Sequence, residues 1–346
     1  MSSQVVDFNQ AIDKVVRGQG LSLQESEDAM GLIMSGKVSE AQIASFLTAL
    51  RMKGETVEEI TGCARVMRDK VTSIKTDHTR LVDTCGTGGD QSSTFNISTT
   101  AAFVAAGVGL PVAKHGNRSV SSRCGSADVL EALGVNLDIS PLDAAASIEK
   151  IGIGFLFAPK LHLAMKHAIK PRKEIGIRTI FNILGPLTNP AGARRQVIGV
   201  YAPELTEVLA YVLLNLGTEH ALIVHGLDGI DEITICEETK ISELKNGQVK
   251  TYYLKPEDLG FERARSSEIK GGEIEQNARI TSSILEGKKG PGRNIVVINA
   301  AAVLVAGRLA ENFSQGVKLA EESIDKGEAL GKLELLREFN RSCLCS

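Results

Sequence analysis

Up to about residue 75 the apolar side chains recur at helical spacing and never alternate as they would along a half-buried strand. After Ser39, for example, Ile43, Phe46, Leu47 and Leu50 fall on one helical face. Three capping boxes mark helix starts, pairing Ser22 with Glu25, Ser39 with Gln42 and Thr56 with Glu59. In each, the hydroxyl can accept an orphan amide of the first turn while the longer side chain reaches back to the cap. This pattern predicts a helical domain over residues 1–75.

From Leu81 the texture changes to short apolar runs separated by helical stretches. Leu81–Val82, Leu110–Ala113, Val135–Leu137, Phe155–Phe157, Val197–Val200 and Ala221–Val224 read as strands. Ser126–Leu133, closed by Gly134, and Ser140–Lys150, with Pro141 in its first turn, read as helices between them. Such alternation predicts an α/β domain over 76–346 with a largely parallel sheet covered on both faces. Pro159–Leu184 breaks the rhythm with two helical patterns separated by Pro171 and no strand, an excursion long enough to return to the N-terminal helices. Thr239–Leu244 and Val249–Leu254 flank Asn246-Gly247 and predict a hairpin, and the chain from about Gly272 reads as helical.

Composition narrows the class. The chain has 346 residues, 43% of them hydrophobic and 23% charged, with a net charge of −3, so any phosphate-binding charge must be local. That balance gives no broad field for nucleic acid or an anionic membrane. The most apolar stretches, Ile295–Gly307 and Ile97–Ala113, fall short of the about 18 residues of a membrane span. The start lacks a secretory pattern, and the six scattered cysteines suit reduced thiols, so a cytoplasmic protein is expected. Cys343-Leu-Cys-Ser346 fits a prenylation box only formally, with no basic run before it.

The sharpest local signal is Asp83-Thr-Cys-Gly-Thr-Gly-Gly-Asp90, followed by Thr94, Asn96, Ser98 and Thr99. It leaves a predicted strand and enters an alanine-rich helix. Glycines 86, 88 and 89 allow backbone amides to approach an anion, and the helix N-terminus adds its partial positive charge. Ser98 has a second option, an oxygen turned to a hard cation. Gln91 stands where a dinucleotide fingerprint needs glycine, and no Gly-Lys-Ser/Thr triplet forms a Walker loop. The bland alternative is a tight turn capping a buried helix.

Lys114-His-Gly-Asn-Arg-Ser-Val-Ser-Ser122 follows the next strand and offers a second anion surface, unless it is an ordinary solvated loop. Its position one βα unit after the glycine loop favours a ligand role, because such loops gather at the carboxyl edge of a parallel sheet. Asp231-Glu232, on a glycine-bearing loop after Ala221–Val224, can turn both carboxylates to one side and hold magnesium beside substrate phosphates. By itself an Asp-Glu pair in a turn is more often solvated. Arg172 suits a carboxylate ligand or a surface ion pair. His162 and His167 lack the glutamate of a zinc-protease motif, and His162 at most lines a pocket.

Together these segments resemble the anthranilate phosphoribosyltransferase family. The matching spellings are D-T-C-G-T-G-G-D with N-I-S-T, K-H-G-N-R-S-V-S-S-R-C-G-S-A-D-V-L-E-A-L-G, G-I-R-T-I-F-N-I-L-G-P-L-T-N-P and G-I-D-E, in family order. The resemblance implies a small helical domain joined by about 160–190 and a large α/β domain of the nucleoside phosphorylase and phosphoribosyltransferase type. It implies transfer of a phosphoribosyl group from phosphoribosyl pyrophosphate to anthranilate in tryptophan biosynthesis, with two Mg2+ ions, in a homodimer that binds neither nucleic acid nor membrane.

By the same resemblance Gly86, Gly89, Asp90, Thr94, Asn96, Ile97, Ser98 and Thr99 hold the pyrophosphate end of the donor. Lys114, His115, Gly116, Asn117, Arg118, Ser119, Val120, Ser121, Ser122 and Ser126 hold its phosphates and ribose. Ser98, Asp231 and Glu232 serve the metal; Gly86, Asn117, Arg172 and His162 face anthranilate. Lys114 and Arg172 act by electrostatics and positioning, with no side-chain nucleophile or general base assigned. Leu163 departs from the family, which often has proline there.

Two other readings compete. A pyrimidine-nucleoside phosphorylase would carry K-H-S beside the first glycine loop, whereas Lys114-His115-Gly116 lies on the following unit. A nucleic-acid-binding relative of the same fold would need an extended basic groove, which the net charge of −3 argues against.

Overall fold

The computed structural model describes residues 7–90, 92–119 and 123–343. The chain begins with four helices, α1 (Phe8–Val16), α2 (Leu23–Met34), α3 (Glu40–Lys53) and α4 (Val57–Lys70). The three capping boxes open α2, α3 and α4, each with its reciprocal pair of hydrogen bonds.

The next segment builds β1 (Val82–Gly86), α5 (Ile97–Gly107), β2 (Val112–Gly116), α6 (Ser126–Ala132), α7 (Pro141–Ile151) and β3 (Ile153–Phe157). Three helices without a strand follow: α8 (Ala158–Leu161), α9 (Lys166–Ile175) and α10 (Ile180–Leu187). The sheet resumes with β4 (Arg195–Gly199), α11 (Leu205–Asn215), β5 (His220–Gly226), β6 (Thr239–Lys245) and β7 (Gln248–Leu254). Four helices complete the described chain: α12 (Ile274–Leu285), α13 (Pro291–Ala306), α14 (Phe313–Asp325) and α15 (Glu328–Ser342).

The strands form one sheet in the order β3-β2-β1-β4-β5-β6-β7, parallel through β5 and antiparallel at β6 and β7. Alternate side chains of each strand enter different cores. Val197, Leu222 and Val224 join α5, α13 and the C-terminal helices, whereas Ile198, Ala221 and Ile223 join α10, α11 and the N-terminal helices. The sheet is therefore covered on both faces. The α9 helix packs on α2 and α3, so the strandless excursion returns to the N-terminal layer. Arg68 of α4 fastens that layer to the sheet, donating to the Leu187 carbonyl (2.7 Å) and the Leu216 carbonyl (3.3 Å) at the ends of α10 and α11.

Two local expectations fail. Val135–Leu137 is not a strand. Val135 and Leu137 are buried, but Asn136 exchanges hydrogen bonds with Asn340 of α15 instead of entering a ladder. Three apolar-flanked residues bury equally well in a connector, so burial pattern alone cannot separate the two. Pro171 does not separate two helices either; it lies inside α9, which ends at Gly176 in the left-handed conformation (φ 62°).

Candidate active site

In the strand order, the chain leaves β1 to one side for β2 and returns to the other side at β4. That reversal opens a crevice beyond the carboxyl ends of β1 and β4, where open α/β sheets bind ligands. A cleft of about 330 Å³ occupies it, within the range of about 300–1,000 Å³ of small-molecule sites.

The glycine loop leaves β1 and is docked on the end of β4. The Thr87 amide donates to the Gly199 carbonyl (2.9 Å), and the Tyr201 amide donates to the Thr87 hydroxyl (3.2 Å). The acidic pair crosses the same strand ends from β5. Buried Ile230 and Ile233 anchor it on either side, and Asn299 of α13 clamps the Ile233 backbone, accepting from its amide (3.0 Å) and donating to its carbonyl (2.8 Å). Such a crossing requires glycine beneath it. A Cβ at residue 199 would fall 1.6 Å from the Asp231 carbonyl oxygen, and one at residue 86 would fall 2.3 Å from the Asp231 carboxylate.

Both carboxylates turn into the cleft and take backbone amides. Asp231 Oδ2 accepts from Gly88 (2.8 Å), and Glu232 Oε1 accepts from Ser98 (3.0 Å) in the first turn of α5. Burial holds the Asp231 and Glu232 carboxyls well above the usual range; the neighbouring charges of Asp90, for Asp231, and of Asp231, for Glu232, add to it. Lys114, buried on β2, donates from Nζ to the Thr84 carbonyl (2.6 Å) and lies 3.4 Å from Ser98 Oγ. Beneath it Asp83 enters the β1–β2 ladder and accepts the His115 amide (3.0 Å); burial raises its carboxyl despite the charge of Lys114.

The remaining expected residues divide by what they touch. Gly86, Gly89, Asp90, Thr94, Asn96, Ile97, Ser98, Thr99, Lys114, His115, Gly116, Asn117, Arg118, Ser119 and Ser126 all border the cleft, as do Arg172, Asp231 and Glu232. Val120, Ser121 and Ser122 lie outside the described residues. Asn96 is held between the Cys124 carbonyl (3.2 Å) and Asn277 (3.1 Å), and Arg118 is engaged by Asp128 (3.0 Å) and Glu131 (2.6 Å). His162 stands behind the cleft wall, its Nε2 3.1 Å from Nε2 of His115. Burial depresses both imidazoles, to about 3 for His115 and about 4 for His162, so the pair is neutral. His167 instead faces Gly36 between α2 and α3.

The opposite wall belongs to α9 and α10. Arg172 lies with its guanidinium 4.9 Å from the centre of the Phe181 ring, and burial lowers it to about 10. Among the described residues it has no ion-pair or hydrogen-bond partner, so a cation recessed in the wall is left to a ligand. Phe181, Asn182, Gly185 and Pro186 complete this wall. They belong to a spelled motif, yet no chemistry-bearing type drew attention to them. Asn299 was missed, and Asp83, though it opens the glycine motif, received no role, because both act through contacts distant in sequence.

A family described as "Glycosyl transferase family, a/b domain" matches residues 78–330, and "Glycosyl transferase family, helical bundle domain" matches residues 9–71. The chain is 57% identical over 335 residues to anthranilate phosphoribosyltransferase of Acetivibrio thermocellus, an alignment covering 97% of each chain. It belongs to the anthranilate phosphoribosyltransferase family. Among solved structures, the Thermus thermophilus enzyme superposes with a TM-score of 0.90 at 42% identity, over 96% of this chain and 99% of that one. The Saccharomyces cerevisiae enzyme in complex with PRPP and Mg superposes with a TM-score of 0.88 at 30% identity, over 97% and 98%.

Proposed function

We infer that the protein transfers the phosphoribosyl group of phosphoribosyl pyrophosphate to the amine of anthranilate, giving N-(5-phosphoribosyl)anthranilate and pyrophosphate in tryptophan biosynthesis. One observation carries the reading. A single cleft combines amide donors at a glycine loop and a helix start, a buried lysine, two adjacent carboxylates and a guanidinium with no ion-pair or hydrogen-bond partner among the described residues.

The donor's diphosphate takes the glycine-loop wall, from Gly86 and Gly89 through Asp90, Thr94, Asn96, Ile97, Ser98 and Thr99. Gly88 and Ser98 amides now given to carboxylates are donors it can take over, and Lys114 has an N–H beyond the two contacts it makes. Lys114 through Ser122, with Ser126, hold the ribose and its phosphate. Oxygen ligands from Asp231, Glu232 and Ser98 fit Mg2+, a hard cation that shares its shell with phosphates, and we assign two ions. Bound there, magnesium neutralises charge developing on the leaving pyrophosphate.

Arg172 holds the anthranilate carboxylate bidentately beside Phe181, with Gly86 and Asn117 nearby and His162 acting through His115. The bond from the anomeric carbon to pyrophosphate oxygen breaks as the amine nitrogen bonds to that carbon, with positive charge spreading over the ribose ring. The amine proton passes to the neighbouring carboxylate of anthranilate itself, so no side-chain nucleophile or base is needed. Catalysis rests on alignment and charge neutralisation.

Three further points belong to this reading. The chain divides into a helical domain of 1–75, joined by about 160–190, and an α/β domain of 76–346, a division supported by the packing of α9 on α2 and α3. It forms a homodimer, supported by an exposed apolar groove between α1 and α3 where Val16 and Met52 are 67% and 84% exposed. It works in the cytoplasm, supported by the free thiols of Cys63, Cys85 and Cys236; no described helix is long and apolar enough to cross a membrane. The test is anthranilate fluorescence in the presence of the donor. It should fall with magnesium, with the phosphoribosyl product appearing, and persist with chelator; no turnover under any condition would overturn the reading.

A further inference from the structure

Arg178 does not border the cleft, yet it holds the loop that does. It follows Gly176, whose left-handed backbone ends α9, and precedes Thr179, whose amide donates to Asn182 Oδ1 (3.0 Å) at the start of α10. Its backbone is thus fixed between Arg172 and Phe181, the pair on the opposite wall. From there the side chain reaches back across the crevice rim and Nη2 donates to the Gly89 carbonyl. The guanidinium carbon lies 4.6 Å from the centre of the Tyr201 ring, at the end of β4.

Three independent features converge on this contact. Gly89 has φ 75°, and a Cβ there would meet Arg178 Nε at 2.9 Å, so the loop backbone is open on the side the arginine covers. Tyr201, which carries the guanidinium, also donates its amide to Thr87 (3.2 Å), so ring and backbone of one residue hold two points of the loop. Tyr201 also lies within electrostatic reach of Arg51 and Glu55 from the helical layer. Among the described residues Arg178 has no carboxylate partner; its charge is spent on a carbonyl and a ring.

We propose that Arg178 is a positioning residue that sets the glycine loop for the phosphorylated donor, acting through the Gly89 carbonyl and the Tyr201 ring. Holding Gly89 from the carbonyl side fixes the plane of the peptide joining it to Asp90. Together with the docking of Thr87 on Gly199 and Tyr201, it gives the loop two tethers, neither of which uses the Gly88 amide. The second tether comes from the same short segment as Arg172, so the acceptor wall and the donor loop are tied within six residues of chain. This rests on the reading of the glycine loop as the donor site.

The test compares Arg178→Gln, Tyr201→Leu and Tyr201→Phe with the parent protein. It reads melting temperature, the KM of each substrate, and binding of magnesium pyrophosphate by calorimetry. Losing a charge-assisted hydrogen bond should raise the donor KM about tenfold or more in Arg178→Gln, with the anthranilate KM changed less than about twofold. Tyr201→Leu, which removes the ring, should raise it about two- to tenfold, and Tyr201→Phe, which keeps the ring, should not. Pyrophosphate affinity should fall in the same order. Folded variants with unchanged donor KM, or with both KM values rising together, would overturn the proposal. A parent protein that binds no magnesium pyrophosphate would overturn the donor-site reading and the proposal with it.

Discussion

On the glycine-loop wall the polar groups are paired with one another, whereas on the wall of α9 and α10 a guanidinium has no hydrogen-bond or ion-pair partner among the described residues. Gly88 and Ser98 amides satisfy Asp231 and Glu232, and Lys114 satisfies Thr84. Among the described residues the Arg172 guanidinium has only the face of Phe181. The proposed ligands account for the contrast. A diphosphate with its cations would bring many charges and could replace each internal hydrogen bond by a stronger one. Anthranilate would bring a single carboxylate, which one recessed arginine over a ring suffices to orient. On this proposal the donor wall depends on a network and the acceptor wall on one charge.

The most damaging way to break this contrast is to neutralise the acidic pair. Asp231→Asn combined with Glu232→Gln should lower kcat/KM by about 10²–10³ and blunt its magnesium dependence, because the amides keep partners while the cation loses its ligands. Near-normal turnover at limiting magnesium would sink the metal assignment. On the other wall, Arg172→Ala should raise the anthranilate KM about 10- to 100-fold and leave the donor KM within about twofold. Equal increases for both substrates would show that the two walls are not separate.

A smaller effect is expected in the pH dependence of stability. Burial and like charge raise the Asp231 and Glu232 carboxyls in the folded protein. The folded state therefore retains protons that the unfolded chain releases above about pH 4, and metal-free stability should decline as pH rises from there through neutrality. Magnesium, which takes the ionised pair, should offset the decline and bind more tightly by up to about tenfold per pH unit for each proton displaced. Melting curves at pH 5 to 8 with and without magnesium check this; parallel curves would contradict it.

Much of the donor wall was legible because its chemistry is written in consecutive residues. Asp83–Asp90 and the segment from Lys114 run off the ends of β1 and β2, Asp231-Glu232 follows β5, and a parallel sheet brings such loops to one edge. Helix starts were legible for the same local reason, since a capping box spans four residues. What escaped depends on distance in the chain. Asn299 clamps the acidic loop from α13, 66 positions away, and Arg178 reaches Gly89 across 89. His162 was expected at the acceptor and stands behind His115, because spacing reports a helix face without saying what that face meets. Val135–Leu137 shows the converse failure, a strand-like run whose backbone is claimed by one asparagine.

The most direct test is a crystal structure of the protein with magnesium and phosphoribosyl pyrophosphate. The diphosphate should lie within hydrogen-bond distance of the Gly88 amide and Lys114 Nζ, with metal on Asp231 and Glu232 and the anomeric carbon facing Arg172. Donor bound elsewhere, with the amides of Gly88 and Ser98 still on their carboxylates, would contradict the account.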